Sequence, residues 1–425
     1  MRKTGYYFIA VIFLFIKINS LDACSMYKLT LHGKTYVGCN EDAWRTTPRL
    51  WFESKNENTK YGAAFTGSRY DGANGFAPQS GMNEVGLSFS RLASYTPRRK
   101  AQAHRKSILN PTKFLKQVLH SCRTVEEVNA LMSQYDRTIF LEDVFIYIDK
   151  SGKYLVVEPY STQLGQKPTY VLSNFCPSIT SPKDALKLQR YRKGLEVLKI
   201  QQDTSLRFLQ SLSDSMHVCR TKIGDGTLLT SIWNLNEGKF HLFFYHDYSH
   251  CQTFDLKEEL RKGDHIKSIQ KLFPENLEFE KLGRYFTTKN SRWLMWTLSF
   301  LSIFFFCSST YFIFRVLFKK HEQKYMSLLL SFLGFSIAFY AFLLCTHQAI
   351  FYFEAPYVDK FSRWVSLTAY LPNILACLML PLIYLNYGVF KAKSWNLFPR
   401  NLFLLNNVMY MILLCFFFYW ELFWF

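Results

Sequence analysis

What this sequence lacks sets the first limits on it. Its cysteines show no C-x-x-C pair or other metal-ligand spacing, which excludes zinc-ribbon and dithiol-redox modules. There is no phosphate-binding glycine loop, so nucleotide chemistry has no cradle. Repeats and low-complexity tracts are absent, which excludes a solenoid. Acidic residues are scarce: 32 Asp and Glu against 51 Lys and Arg leave a formal net charge of +19. That excess does not signal nucleic acid, because many of the basic residues flank apolar runs and act as topology signals. The densest other cluster, Arg98-Arg99-Lys100 with His104-Arg105-Lys106, has no interleaved aromatics. It reads as a solvated loop, or as a contact for anionic lipid.

Charge also thins out in the last third, where four apolar runs follow one another at about 293–318, 326–350, 366–390 and 402–425. Each is long enough to cross ~30 Å of hydrocarbon as a helix. None has the polar face of a buried soluble helix. Lys319, Lys320 and Lys324 follow the first run, and Lys391, Lys393 and Arg400 follow the third. The intervening loop offsets Lys360 and Arg363 with Glu354 and Asp359. Basic loops favour the cytoplasm, so the soluble part and the C-terminus are expected outside it. At the other end, Met1-Arg2-Lys3, an apolar run from Tyr6 to Ile16 and Ala23 before Cys24 describe a signal peptide. An uncleaved anchor is the alternative. The expected organisation is therefore a signal peptide (1–23), an extracytoplasmic domain (24–290) and a four-helix transmembrane domain (291–425). Helical runs exclude an outer-membrane barrel and point to a bilayer such as the bacterial plasma (inner) membrane. His347, Cys307, Cys345, Cys377 and Cys415 form no proton relay, so the spans read as an anchor, with delivery of a lipidic substrate as the sharper alternative.

The soluble part alternates strands and helices. Cys24–Leu31 and Thr35–Asn40 form a hairpin about His32-Gly33-Lys34, which brings Cys24, Cys39 and Asp42 to one end. Helices are predicted over Pro111–Leu119, after Thr124 with Glu127 as a capping box, over about Asp184–Lys199, and over about Ser205–Leu212. Hairpins are predicted over 144–158 and 228–245, and Tyr170–Ser173 is a strand ending at Asn174. The order implies layered α+β. His246 and His250 are four apart but follow a strand, Lys239–Tyr245, so they make no metal pair and no metal is expected. Of the six cysteines before residue 290, five remain if Cys24 is free, allowing at most two disulfides.

An N-terminal cysteine can be a self-contained catalyst. Its thiol attacks a carbonyl while its own α-amine, with a pKa near 8, takes and returns the proton. Four segments follow one another along the chain: Cys24 leading a strand into Gly38-Cys39-Asn40-Glu41-Asp42-Ala43-Trp44, then Gly81-Met82-Asn83-Glu84-Val85-Gly86-Leu87, Val171-Leu172-Ser173-Asn174, and Gln189-Arg190-Tyr191. Together they resemble the choloylglycine hydrolase and penicillin V acylase superfamily of linear amide C–N hydrolases, close to the isopenicillin N acyltransferase-like proteins. The resemblance covers Cys24 to about Tyr248. It implies a four-layer αββα N-terminal-nucleophile hydrolase sandwich acting on a small-molecule N-acyl amide, without a cofactor. Carried over, Cys24 is nucleophile and base, Asp42 holds the amine, Asn174 donates to the oxyanion, and Arg190 supports the nucleophile and lowers its pKa. Asn83 and Cys39 are candidates for substrate binding, Asn83 against the alternative of a turn whose side chains bond backbone. Cys39 stands where bile-salt hydrolases commonly carry arginine, and Ala93 where they carry a second polar residue, which argues against bile-salt or penicillin V specificity. Acyl transfer to another amine stays open, and so does a non-catalytic lipoprotein with a lipid-bearing Cys24.

Overall fold

The computed structural model describes residues 24–43, 46–99, 105–220, 225–282, 286–288, 291–318, 324–347, 349–352, 355–357, 362–392 and 395–423. The expected signal peptide, Trp44, residues 100–104 and the loop residues Lys319, Lys320, Glu354, Asp359, Lys360 and Lys393 lie outside them. The chain divides into two compact units, Leu21–Arg284 and one that includes Tyr285–Phe425.

The first unit is built on the N-terminal hairpin. Strands Ser25–Leu31 and Lys34–Ala43 pair with Met26 opposite Cys39, and His32 and Gly33 turn the chain at φ of 50° and 74°. Thr169–Leu172 joins one side of this pair, and Asp225–Asn234, Lys239–Phe244 and Gln252–Asp255 extend the other. The short strand Cys219–Arg220 pairs with the start of Asp225–Asn234. A second, eight-stranded antiparallel sheet runs in the order Thr162–Gly165, Tyr154–Val157, Asp143–Asp149, Leu87–Ala93, Ser80–Asn83, Ala63–Gly67, Arg49–Glu53, His265–Ser268.

Side-chain alternation with period two then creates three apolar layers. Met26, Val37, Leu172 and Trp233 of the first sheet face Phe52, Met82, Ile146 and Val156 of the second. On the other face of the first sheet, Tyr27, Leu29, Val171 and Ile232 lie under Leu198, Leu209 and Leu212 of helices Gln189–Ile200 and Leu206–Ser215. On the far face of the second sheet, Phe65, Phe89, Phe145 and Leu155 lie under Leu115, Val118 and Val128 of helices Pro111–Ser121 and Val125–Met132. The αββα sandwich is the result. Helix starts follow local chemistry: Asn110 and Ser205 cap their helices, and at the start of Val125–Met132 Thr124 Oγ1 accepts the Glu127 N–H while the Glu127 carboxylate accepts the Arg123 N–H.

One helix expected as continuous is broken. In place of about Asp184–Lys199 there are two pieces, Pro182–Ala185 and Gln189–Ile200. Leu188 is extended and buried between them, so the chain gives up a turn of helix to seat an apolar side chain. The second piece then approaches the sheet closely. A Cβ on Gly194 would lie 2.6 Å from Met216 Sδ and 3.2 Å from Val171 Cγ1, so a larger residue there would have to displace the Met216 side chain.

The other unit contains four helices long and apolar enough to cross a membrane: Arg292–Phe318, Lys324–Thr346, Arg363–Ala392 and Leu397–Tyr419. The third is interrupted at Ala369-Tyr370, and the second stops at Thr346, short of the expected 350. The first two meet through small residues. A Cβ on Gly334 would strike Ser309 Oγ at 2.1 Å, and Ser331 Oγ donates to the Ser309 carbonyl at 2.9 Å. Asn406 reaches Ser308 Oγ at 2.7 Å, and Phe305 stacks on Tyr410. Trp293, Trp296, Phe300 and Ile303 are exposed, as lipid-facing side chains would be.

Candidate active site

Two register relations assemble the site at one end of the first sheet. Ser25 opposes Asn40, which sets Cys24 beside Glu41 and Asp42. Met26 opposes Leu172 at the end of the other pairing, and just beyond it Ser173 bonds the Cys24 carbonyl, with Asn174 next in the chain. Asp42 itself pairs with Thr227, and a bulge between Thr227 and Leu229 shifts the register at this point. Sheet pairing alone thus gathers residues far apart in the chain.

Cys24 is 2% exposed. Its thiol donates to the Asp42 carbonyl at 3.7 Å and receives Gln79 Nε2 at 3.3 Å. Ser173 Oγ donates to the Cys24 carbonyl at 3.4 Å. The Asp42 carboxylate is held from two sides: Arg190 Nη1 donates to Oδ2, and Thr227 Oγ1 to Oδ1 at 2.6 Å. Both members of the Arg190–Asp42 pair are buried, with side chains 3% and 4% exposed. Arg190 arrives from the first turn of Gln189–Ile200, the helix that Gly194 lets settle on the sheet. Asn174 donates through Nδ2 to the Ala93 carbonyl at 2.7 Å, which fixes the plane of its amide.

Cys24, Asp42, Arg190 and Asn174 are therefore brought together. Cys39 lies beside them but faces the inter-sheet core and is fully buried. Its thiol is pushed well up by that burial. Asn83 is not brought to the group. It is buried, and its amide donates to the Leu119 and Cys122 carbonyls at 2.8 Å while its oxygen receives Leu87 N–H at 2.9 Å. Asn83 ties the end of helix Pro111–Ser121 to a turn, so its assignment to substrate binding is corrected to a structural one. Glu84 likewise accepts the Gly62 N–H.

Arg190 does lower the thiol pKa, as expected, but it is outweighed. The Cys24 thiol is pushed up to about 12, mainly by burial and next by the charge of Asp42. Arg190 pulls the other way but makes the smallest contribution, because Asp42 already neutralises it. Close by, Glu41 spans the two sheets, receiving Thr66 Oγ1 and Ser80 Oγ. Burial, opposed by these two hydroxyls, raises its carboxyl to about 7.

Several neighbours carry no sequence signal. Gln79 donates to the Arg91 carbonyl as well as to Cys24, and Arg91 grips Asp143 with two bonds of 2.7 and 2.9 Å. Thr227 follows no motif either. Among the described residues the cysteines form no disulfide.

Residues 45–171 match the family described as linear amide C–N hydrolases, choloylglycine hydrolase family. The soluble unit resembles that family. The match begins after Asp42 and stops before Asn174, so it bears on the family of this choloylglycine hydrolase-like unit and leaves the roles of its site residues to geometry. Among solved structures, a variant of conjugated bile acid hydrolase from Clostridium perfringens is 18% identical, covering 60% of this chain and 97% of its own, with a TM-score of 0.45. Penicillin V acylase from Agrobacterium tumefaciens is 13% identical, covering 58% and 90%, with a TM-score of 0.44. The N-acylethanolamine-hydrolyzing acid amidase ortholog of Caenorhabditis elegans is 13% identical, covering 58% and 100%, with a TM-score of 0.38. No curated protein matches the chain.

Proposed function

We propose that this chain is a membrane-tethered hydrolase of linear N-acyl amides, in which Cys24, freed of residues 1–23, is the nucleophile. The observation that carries this reading is the buried Arg190–Asp42 pair set against Cys24, with Asn174 following the Ser173 that bonds the Cys24 carbonyl. A thiol pushed up to about 12 has only about one part in 10⁵ as thiolate at pH 7, so it needs a base at hand. Among the described residues, the polar contacts of its sulfur are the Asp42 carbonyl and the Gln79 amide, and neither is a base. The α-amine that peptide cleavage would expose is one, and it titrates near neutrality. Cys24 also holds a left-handed φ of 33°, strained for a residue with a Cβ. An N-terminal residue has no such torsion, so cleavage would release the strain.

In this mechanism the amine takes the thiol proton as sulfur attacks the amide carbon. Asn174 donates to the oxyanion, and Asp42, clamped by Arg190 and Thr227, orients the amine. The C–N bond breaks as the proton passes to the leaving amine, which leaves a thioester. Water then attacks the thioester carbon, losing its proton to the same amine; the C–S bond breaks, the amine returns the proton to sulfur, and the carboxylic acid departs. The four apolar helices serve as the tether, and the basic loops between them favour a catalytic unit outside the cytoplasm. The partners are the bilayer and a small-molecule N-acyl amide.

The test is a panel of N-acyl amino acids, N-acyl amines, bile-salt conjugates and penicillin V, presented to the full-length protein and to Cys24→Ala. Turnover that disappears in Cys24→Ala is expected. Unchanged amide cleavage by that variant would remove Cys24 from the chemistry.

A further inference from the structure

Away from Cys24, three segments bring a thiol, an imidazole and a carboxylate to one point. Cys219, His246 and Glu278 place one ligand atom each within 4.8 Å of the others, and each residue is half-buried. Cys219 lies on the short strand that pairs with Gly226, His246 follows strand Lys239–Phe244, and Glu278 lies on helix Leu277–Leu282. Cys219 Sγ and Glu278 Oε1 are 3.6 Å apart. With Zn–S near 2.3 Å and Zn–O near 2.1 Å, a tetrahedral edge between those atoms is roughly 3.6 Å. His246 Nε2 is buried and, among the described residues, has no hydrogen-bond partner. A buried imidazole nitrogen left without a partner is costly.

The backbone commits to this arrangement. Tyr245 and His246 adopt left-handed φ of 49° and 44°, which residues with a Cβ rarely do. Packing holds the helix of Glu278 in place, since Phe279 meets Phe244 and Tyr245 edge-on at 4.9 and 5.2 Å. The face of His246 is covered by the His217 ring at 5.2 Å, and His217 is itself tied to Asp214 through Nδ1.

We infer that Cys219, His246 and Glu278 form a binding site for a divalent transition metal of the zinc class. A thiolate and a carboxylate balance the charge of a divalent ion, and a neutral imidazole adds none. Sulfur and nitrogen ligands select against calcium and magnesium, which take oxygen. Three protein ligands leave one position of a tetrahedron for water. The site would fix the strand end beside the catalytic group, because Val218, next to Cys219, exchanges hydrogen bonds with Thr227, the partner of Asp42.

The experiment uses full-length protein in detergent, stripped by chelator and titrated with Co²⁺, in a Cys24→Ala background so that the catalytic thiol cannot contribute. One equivalent should produce thiolate-to-cobalt charge-transfer absorption together with the intense visible bands of tetrahedral cobalt. Adding Cys219→Ser should abolish the charge transfer, whereas Cys251→Ser should leave it intact. Glu278→Gln and His246→Gln should each weaken binding more than about tenfold, the loss that even an outer-shell partner can cause. Absence of charge transfer at one equivalent, or its survival in Cys219→Ser, would overturn the assignment. These readouts do not involve turnover, so they stand or fall apart from the amidase proposal.

Discussion

Breaking the Arg190–Asp42 pair from one side should unfold more than it disarms. Both side chains are nearly inaccessible, and the pair spans the helix layer and the sheet edge that holds Cys24. Arg190→Met leaves the Asp42 carboxylate buried beside Thr227 Oγ1 without its cationic partner, and removal of one member of a buried pair costs about 3–5 kcal/mol. With a urea dependence of roughly 3 kcal/mol per molar for a unit of this size, the midpoint should fall by about 1–1.7 M. Asp42→Asn strands the guanidinium instead and should cost a similar amount. The double variant Asp42→Asn with Arg190→Met buries no charge at this place, so it should regain at least half of either loss. It should remain inactive, because nothing then orients the amine. Pulse proteolysis across a urea series reads the intact fraction of the soluble unit in each variant. Single losses that simply add in the double variant, or single shifts below about 0.3 M, would refute the coupled buried pair.

Other expectations follow from the same geometry. Asn174→Ala should lower kcat by about 10²–10³-fold with little change in KM, as loss of an oxyanion donor does, read by steady-state kinetics. Glu41 has a folded-state pKa raised from 4.5 to about 7, so folding is favoured below 4.5 and that advantage is lost as pH rises through 7. Relative to Glu41→Gln, the wild type should therefore lose on the order of 3 kcal/mol between pH 4 and pH 8, measured by urea midpoints at each pH; a parallel pH dependence in the two proteins would contradict it. Asn83→Ala should cost about 2–4 kcal/mol by stranding two carbonyls and an N–H, while the folded fraction keeps its kcat.

The sandwich was legible because its strands alternate between two apolar layers, as Met26 and Tyr27 or Phe145 and Ile146 do, and because Asn110, Thr124 and Ser205 announce their helices. The N-terminal hairpin made the nearness of Cys24 and Asp42 a matter of register. Arg190 was different: no spacing links it to Asp42, and only the resemblance pointed there. Asn83 was misplaced because a matching motif fixes a position along the chain without fixing the face of the sheet to which it turns. Gln79, Thr227 and the Arg91–Asp143 pair are positioned by packing between strands distant in sequence, which leaves no pattern to read. Cys219, His246 and Glu278 escaped for the same reason, and the pairing of His246 with His250 drew attention to the wrong neighbour.

The most direct test of the central claim is the mass of the N-terminal peptide from enzyme quenched with acid during turnover of an N-acyl amide. A peptide that starts at Cys24 and carries the acyl group on sulfur, absent without substrate, is expected. An active enzyme whose first peptide still contains Met1–Ala23, or whose acyl group sits on another residue, would contradict it.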